Sequence, residues 1–287
     1  MNAATIVLII LGVMILGLAI LFLESARELK QARVKEYTMQ LPGHPRGRIL
    51  FLSDYHEAVR GKNNEMILAK IREIKPDIIL IGGDMVNGKS EKEDFTPAIT
   101  LINGMVEIAP VVYAMGNHEM RCVVNSREYG YHWDQYEQAL SPKIRMLIND
   151  HMDWELPEGK IRIYGLNMEK TYYKKHGEKL TVKEMDRLVG RKEEGLPVIL
   201  LAHDPTWAKV YEAWGSDLTL SGHFHGGIIR LPFIGGIISP KFEPFPHYDY
   251  GYYPEKDGKT LVTCGLGQHT IPVRFNNLPE MVLINLN

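Results

Sequence analysis

Five short apolar segments of this chain each run into aspartate, asparagine or histidine. The segments read ILFLS, IILIG, VVYAM, VILLA and DLTLS, and the polar blocks that follow begin at Asp54, Gly83, Gly116, His203 and Gly222. Apolar segments of this length alternating with helix-like stretches predict an α/β domain with a largely parallel sheet. The carboxyl ends of parallel strands face the ligand crevice, so these polar residues are expected to form one cluster.

The apolar segments give the predicted elements. Strands are expected at Arg48–Leu52, Ile78–Ile81, Val111–Ala114, Ile161–Tyr164, Val198–Ala202, Leu218–Leu220, Thr260–Thr263 and Met281–Asn285. Apolar residues at helical spacing predict a helix over Asn63–Lys75, which Pro76 stops. Asp204 followed by Pro205 is typical of a helix start, and that helix is expected to reach Trp214.

The polar cluster has the composition of a metal site. Seven side chains offer carboxylate, amide or imidazole donors: Asp54, His56, Asp84, Asn117, His203, His223 and His225. The chain has only two cysteines, so a thiolate zinc site and a disulfide scaffold are both excluded. Seven donors exceed the needs of one ion and predict two divalent ions sharing a carboxylate, with Mn²⁺ expected first and Fe²⁺ or Zn²⁺ as alternatives. Any one of these residues alone is equally well explained as turn chemistry.

The order of these blocks resembles a known family. Asp54-x-His56, Gly83-Asp84, Gly116-Asn117-His118-Glu119, His203 and Gly222-His223-x-His225 together resemble the calcineurin-like metallophosphoesterases, over roughly residues 47–287. The block GHFHGG followed by LPFIGG is more narrowly similar to the membrane-associated bacterial branch, which includes phosphodiesterases and UDP-diacylglucosamine pyrophosphatase relatives. The resemblance implies two mixed sheets packed face to face and flanked by helices.

The resemblance also implies a role for each matching residue. Asp54, His56 and His225 would hold the first metal, Asn117, His203 and His223 the second, and Asp84 would bridge them. His118 would protonate the leaving oxygen while hydroxide activated by the metals attacks phosphorus. The protein phosphatases of the superfamily carry an arginine soon after the Gly-Asp block. Here Met85-Val86-Asn87-Gly88 follows instead, which weakens the hypothesis that the substrate is a phosphoprotein.

Residues 5–23 form an uncharged apolar segment. A helix of this length spans roughly 28 Å, close to the ~30 Å hydrocarbon core of a bilayer, and predicts one transmembrane anchor. A cleaved signal peptide and a buried helix are the alternatives; no basic residue precedes the segment and Glu24-Ser25-Ala26 is a poor cleavage site. Residues 24–46 are expected to be a charged stalk and linker, and residues 47–287 the catalytic domain.

Charge bears on the partners and on orientation. The 33 basic residues nearly balance the 35 acidic ones, so nucleic acid is not an expected partner. Four basic residues follow the anchor, namely Arg27, Lys30, Arg33 and Lys35, which favours a cytoplasmic domain on a cell membrane. The expected partners are the bilayer, through residues 5–23, and a phosphoester or pyrophosphate substrate.

The substrate is the least determined feature of the sequence. Residues 231–240 and 242–253 are rich in proline, glycine and aromatics. Two interpretations of this stretch are open: an apolar wall beside the metals that admits an acyl chain, or a loop that packs against the core. A lipid, a soluble phosphoester handled by a tethered enzyme and a non-catalytic binding scaffold therefore all stay open. His247 and His269 are weaker candidates for the site lining.

Overall fold

Two six-stranded mixed sheets pack face to face in the computed structural model. It describes residues 2–88, 93–129, 133–227, 230–231, 234–239, 244–254, 258–268 and 274–287. The first sheet has the strand order β1 (Arg33–Met39), β14 (Glu280–Leu286), β2 (Gly47–Leu52), β3 (Ile78–Ile81), β4 (Val111–Ala114) and β5 (Arg145–Leu147). The second has the order β12 (Gly251–Pro254), β13 (Lys259–Val262), β9 (Leu218–Ser221), β8 (Val198–Ala202), β7 (Lys160–Leu166) and β6 (Asp150–Glu155).

Most neighbouring strands run parallel. In the first sheet only β14 and β2 are antiparallel neighbours. In the second sheet the outer pairs, β12 with β13 and β6 with β7, are antiparallel. A separate hairpin joins β10 (Arg230–Leu231) to β11 (Gly235–Gly236). The predicted mixed α/β sandwich is therefore confirmed.

The inner faces of the two sheets form a common core. Alternate residues of the central strands point into it, including Ile49 and Phe51 from β2 and Ile199 and Leu201 from β8. The intervening residues of each strand face the helices, as expected for strands buried on both sides. This arrangement brings the carboxyl ends of β2, β3, β4, β8 and β9 to one side of the sandwich.

Helices cover both outer faces. They are α2 (Glu65–Ile74), α3 (Thr96–Val106), α4 (Asn117–Tyr129), α5 (Trp133–Ala139), α6 (Val182–Val189) and α7 (Ala208–Trp214). The predicted helix at 63–75 is α2, preceded by a single 3-10 turn at Lys62–Asn64. The predicted helix after Asp204 is a 3-10 turn at Pro205–Trp207 followed by α7, and the Asp204 carboxylate accepts the Thr206 N–H at 2.9 Å.

The amino-terminal helix α1 (Ala3–Leu29) contains the whole apolar segment. It is long and apolar enough to cross a membrane, by length and composition, and its apolar part is not buried against the domain. Because its backbone hydrogen bonds are satisfied internally, such a helix is compatible with a bilayer interior.

The expected stalk over residues 24–46 differs from the structure. Only part of this segment connects elements, because α1 continues to Leu29 and β1 then joins the first sheet beside β14. Val34 packs toward the helices, and Tyr37 and Met39 pack toward the central core. The consecutive exposed charges Lys35 and Glu36, which point to opposite faces of this edge strand, interrupt the apolar pattern and concealed the strand.

Candidate metal centre

The polar residues that follow the strands meet on one side of the sandwich. Asp54 and His56 follow β2, Asp84 follows β3, and Asn117 and His118 open α4 after β4. His203 follows β8, and His223 and His225 follow β9. All of these residues except Asn117 are buried, with between 0% and 8% of the residue surface exposed. The structure thus gathers all eight residues that the sequence singles out.

One group of donors consists of Asp54, His56 and His225, whose ligand atoms all lie within 4.8 Å of one another. Nε2 of His225 is 3.4 Å from Oδ1 of Asp54 and 3.2 Å from Nε2 of His56. These are the residues expected to hold the first metal.

A second group consists of Asp84, His203 and His223. Nε2 of His203 is 3.0 Å from Oδ2 of Asp84, and the same oxygen is 3.9 Å from Nε2 of His56 in the first group. Asp84 therefore lies between the groups, where a bridging carboxylate is required. Nδ1 of His203 donates to the carbonyl of Gly82 at 2.7 Å, which leaves Nε2 to face the centre.

Asn117, the first residue of α4 and the neighbour of His118 in sequence, offers an amide oxygen as a further donor. Its Oδ1 is buried and has no hydrogen-bond partner within the described part of the chain. A buried amide oxygen without a partner is costly, and coordination by a cation would satisfy it. The oxygen and imidazole donors gathered here fit borderline or hard divalent ions.

His118 forms a third group with His56 and Asp84, whose ligand atoms also lie within 4.8 Å of one another, but its ring is held differently. Its Nδ1 contacts the carbonyl oxygen of Asn87, so its Nε2 points toward Oδ2 of Asp84, 3.8 Å away. Its own backbone N–H donates to Oδ1 of Asp84 at 2.8 Å. The ring is thus positioned beside the bridging carboxylate with one nitrogen directed into the centre.

The backbone at the centre is unusual. Five of the candidate ligands have a φ in the left-handed region: Asp54 (51°), His56 (45°), Asp84 (55°), His223 (66°) and His225 (50°). Each such residue costs about 1–3 kcal/mol, and such residues concentrate at functional sites. Two glycines make the close approach possible, because a Cβ on Gly222 would lie 2.1 Å from Oδ2 of Asp54 and one on Gly116 would lie 2.3 Å from Oδ1 of Asp84.

Burial and neighbouring charges shift the pKa values of the groups in the centre. Burial raises the pKa of the Asp54 carboxyl to about 7, despite the opposing effect of His203. Asp84 is equally buried, yet the surrounding histidines hold its pKa well below its usual value. Burial alone would lower the pKa of His203, but the two carboxylates outweigh it and raise that pKa to about 10. A cation binding here must displace the proton from His203.

Glu119 organises the loops that carry the ligands, a role that the sequence did not reveal. Its carboxylate accepts the backbone N–H groups of Asp84 (2.8 Å), Met85 (2.6 Å) and Gly116 (2.9 Å) and the hydroxyl of Tyr113 (2.8 Å). The one feature of the sequence that could have pointed to Glu119 is its position directly after Asn117-His118. It ties the loop after β3 to the loop after β4.

Tyr173 also borders the centre without having been predicted. It ends a 3-10 turn at Lys170–Tyr173, and its ring centroid lies 5.3 Å from that of His223 in an edge-on arrangement. The weaker sequence candidates do not join the donor groups. His247 instead packs edge-on against Tyr248 and at a tilt against Tyr253, and His269 lies outside the described residues.

A profile of the calcineurin-like phosphoesterases matches residues 47–227. This chain belongs to that family. The resemblance read from the motifs is confirmed, and the chain is a hydrolase that acts on phosphoester bonds. Calcineurin-like phosphoesterases use a dinuclear divalent metal centre, which agrees with overlapping donor groups that share Asp84 and His56.

Several curated relatives resemble most of this phosphoesterase. The metallophosphoesterase YkuE of Bacillus subtilis (strain 168) is 27% identical over 82% of this chain and 75% of the relative. Phosphodiesterase YaeI of Escherichia coli (strain K12) is 27% identical over 83% of this chain and 82% of the relative. A transmembrane protein with a metallophosphoesterase domain from Danio rerio is 27% identical over 83% of this chain and 53% of the relative.

Proposed function

We propose that this protein is a membrane-anchored, dinuclear metal-dependent phosphoesterase that hydrolyses a phosphodiester or pyrophosphate bond. The observation that carries the proposal is the convergence of donors from five strand ends around the single carboxylate of Asp84. Mn²⁺ is the proposed metal, with Fe²⁺ and Zn²⁺ compatible with the same donors.

The two donor groups divide the metal-binding work. Asp54, His56 and His225 would hold one ion, while Asn117, His203 and His223 would hold the other and Asp84 would contact both. Bound divalent ions at these positions supply Lewis acidity toward the phosphoryl oxygens and activate water. The carbonyl of Gly82 fixes the ring of His203, so that Nε2 is the nitrogen available to a cation.

His118 is proposed as the general acid. The Asn87 carbonyl fixes its ring through Nδ1, which keeps a proton on that nitrogen and presents Nε2 to the centre. A proton on Nε2 can pass to a leaving alkoxide or phosphate oxygen without moving the ring.

The metal assignment is tested by metal counting. The full chain in detergent should hold about two divalent ions per molecule, measured by elemental analysis, and chelation should abolish hydrolysis of an aryl phosphodiester. Asp84→Asn should lower both the metal count and the turnover more than Asn117→Ala does, because Asp84 is the residue proposed to hold both ions. Full activity of metal-free protein, or of Asp84→Asn, would disprove the dinuclear assignment.

We also propose that α1 anchors the enzyme in a cell membrane, with the catalytic domain on the cytoplasmic side. The length of the apolar segment supports the anchor, and the basic residues after it support the side. The relative from Danio rerio, whose name describes a transmembrane protein, supports the same arrangement. Two reporters test the side when each is fused to the carboxyl terminus: one that is active only in the cytoplasm and one that is active only outside it. The proposal expects activity from the cytoplasmic reporter alone.

A lipid phosphoester is the proposed substrate class, with a soluble ester as the alternative. Three apolar side chains in the stretch after His225 are exposed, namely Leu231 (37%), Ile234 (59%) and Phe245 (61%). Exposed apolar side chains on an enzyme proposed to be anchored in a membrane favour contact with acyl chains. Phe233, the other residue expected in such a wall, lies outside the described residues.

A paired substitution separates these substrate classes. Ile234→Ser with Phe245→Ser should slow hydrolysis of a vesicle-borne lipid phosphodiester and pyrophosphate, while an aryl phosphodiester in water should be turned over at the normal rate. Val182→Ser is the matched control, because Val182 is an exposed apolar residue on α6, outside this stretch. Equal loss on all substrates would mean that the stretch is structural and would remove the support for a lipid.

A further inference from the structure

The last turns of α1 are part of the catalytic domain. Ser25 and Glu28 are only 2% and 3% exposed, whereas the preceding apolar turns of the same helix lie open. Buried hydroxyl and carboxylate groups require partners, and both partners lie about 250 residues further along the chain.

These partners are two backbone N–H groups of one short segment. The N–H of Arg274 donates to Oγ of Ser25 at 2.9 Å, and the N–H of Asn277 donates to Oε2 of Glu28 at 3.0 Å. Segment 274–277 is thus fastened at both ends to the helix that leaves the proposed membrane anchor.

The same segment contacts the candidate ligands of one donor group. Nδ2 of Asn277 donates to the carbonyl of His225 at 2.6 Å, which restrains a residue with a left-handed φ of 50°. The guanidinium of Arg274, itself 3% exposed, donates to the carbonyl of Gly267 at 2.6 Å. The N–H of Gly267 in turn donates to the carbonyl of Asp54 at 2.5 Å.

Arg60 provides a second connection to the helix end. Its Nε donates to the carbonyl of Gln31 at 2.9 Å, and its other nitrogens contact the carbonyls of Ala58 and Leu266. Arg60 lies four residues after His56, the third member of the donor group. The described bonds from α1 therefore lead through Asn277 to His225 and through Arg274 and Gly267 to Asp54, two members of the group assigned to the first metal.

We propose that Glu28 is a positioning residue for the first metal position, acting through Asn277 on His225, with Ser25 supporting it through Arg274. The anchor helix is then a structural part of the metal centre as well as a tether. This inference rests on the proposed function, since it takes Asp54, His56 and His225 as metal ligands. Groups that orient ligands typically change metal affinity by about 10–100-fold when they are removed.

The test is a Mn²⁺ titration of the full chain in detergent after chelation, with free Mn²⁺ followed by electron paramagnetic resonance. Glu28→Ala should weaken one of the two Mn²⁺ equivalents by about tenfold or more and change the other by less than about threefold. Glu28→Gln keeps an acceptor oxygen for the Asn277 N–H and should restore binding. Glu24→Ala is the matched control, because Glu24 lies one turn earlier on α1 and pairs with Arg27.

Asn277→Asp is a second variant that tests the same proposal independently, and it remains informative if Glu28→Ala fails to fold. It keeps the shape of the side chain but removes the donor to His225, so it should weaken the same equivalent. Combined with Glu28→Ala it should add little further loss, since both changes act along one chain of bonds.

Three outcomes would overturn the coupling. Unchanged Mn²⁺ binding in Glu28→Ala and in Asn277→Asp would show that the helix contact is unrelated to the centre. Equal weakening of both equivalents, with a lower melting temperature of the metal-free protein, would show a general structural role. If the unaltered protein takes fewer than two Mn²⁺, the proposed function fails as well, which distinguishes that failure from a failure of the coupling.

Discussion

At the scale of single residues, the ring of His118 is oriented by a main-chain carbonyl, and its free nitrogen faces the bridging carboxylate. We predict that His118→Asn keeps about two metal ions but loses on the order of 10²–10⁴ in turnover, the usual range for a general acid. The loss should shrink for aryl esters with good leaving groups, which need less protonation. Rates across a leaving-group series, with metal counts in parallel, measure this. If His118→Asn lost metal and the rate loss were the same for all esters, His118 would be a ligand.

Glu119 is the residue on which the geometry of Asp84 depends, because three backbone N–H groups converge on its carboxylate. In Glu119→Gln the amide group would face some of these donors and leave them unpaired. We predict a loss of about 2–4 kcal/mol in the free energy of unfolding, measured with urea, because buried unsatisfied donors cost about 1–3 kcal/mol each. Tyr113→Phe removes only one donor to the same carboxylate and should cost about 1 kcal/mol. Similar losses in both variants would contradict this role.

The candidate site could be predicted at the residue scale because each of its members directly follows a buried strand. The positions of His203 and Asp84 at strand ends could be predicted for this reason, because the apolar residues before them show where each strand ends. Glu28 and Asn277 could not be found in the same way. Their partnership joins positions 249 residues apart, and neither residue lies in a motif or at the end of an apolar segment.

At the scale of elements, the eight predicted strands match β2, β3, β4, β7, β8, β9, β13 and β14 to within two residues at each end. Continuous apolar runs mark strands buried on both faces, which is why the central strands were the ones found. The strands that were not predicted are edge strands or short ones. β6 reads DHMDWE and β1 reads RVKEYTM, and in both the exposed row of side chains breaks the apolar pattern.

The edge strand β1 is held to its neighbour by a partly buried ion pair. Nε of Arg33 donates to Glu280 at 3.0 Å, and Glu280 is 1% exposed. We predict that Arg33→Ala lowers the free energy of unfolding by about 1–2 kcal/mol, less than for a fully buried pair because the arginine side is half exposed to solvent. Arg46→Ala is the control, because both members of the Arg46–Glu158 pair are exposed, and it should change stability by less than about 0.5 kcal/mol. Equal effects in urea unfolding would mean that β1 gains nothing from the pair.

At the scale of the whole molecule, the domain boundary differs from the one that the motifs suggest. The family match begins at residue 47, yet the first sheet begins at Arg33 and the buried contacts begin at Ser25. The candidate metal centre is therefore joined to the end of α1 by hydrogen bonds and not by a free linker. If α1 anchors the enzyme as proposed, this connection would hold the centre at a fixed place relative to the anchor, which would suit a substrate that reaches the enzyme from the bilayer.

Truncation at three positions separates the anchor from the domain. A chain that begins at Glu24 keeps Ser25, Glu28 and β1, and we predict that it is soluble, binds about two Mn²⁺ and hydrolyses an aryl phosphodiester as the full chain does. On a lipid phosphoester in vesicles the same chain should be much slower than the full chain, because it loses the effective concentration that tethering provides. A chain that begins at Ala32 keeps β1 but loses the contact of Glu28 with Asn277, so it should fold and bind one of the two ions weakly.

A chain that begins at Gly47 also loses β1, which exposes the edge of β14 and should lead to aggregation. Size-exclusion chromatography with metal counting distinguishes the three, and a well-folded chain from Gly47 with two tightly bound ions would show that residues 24–46 are a linker after all.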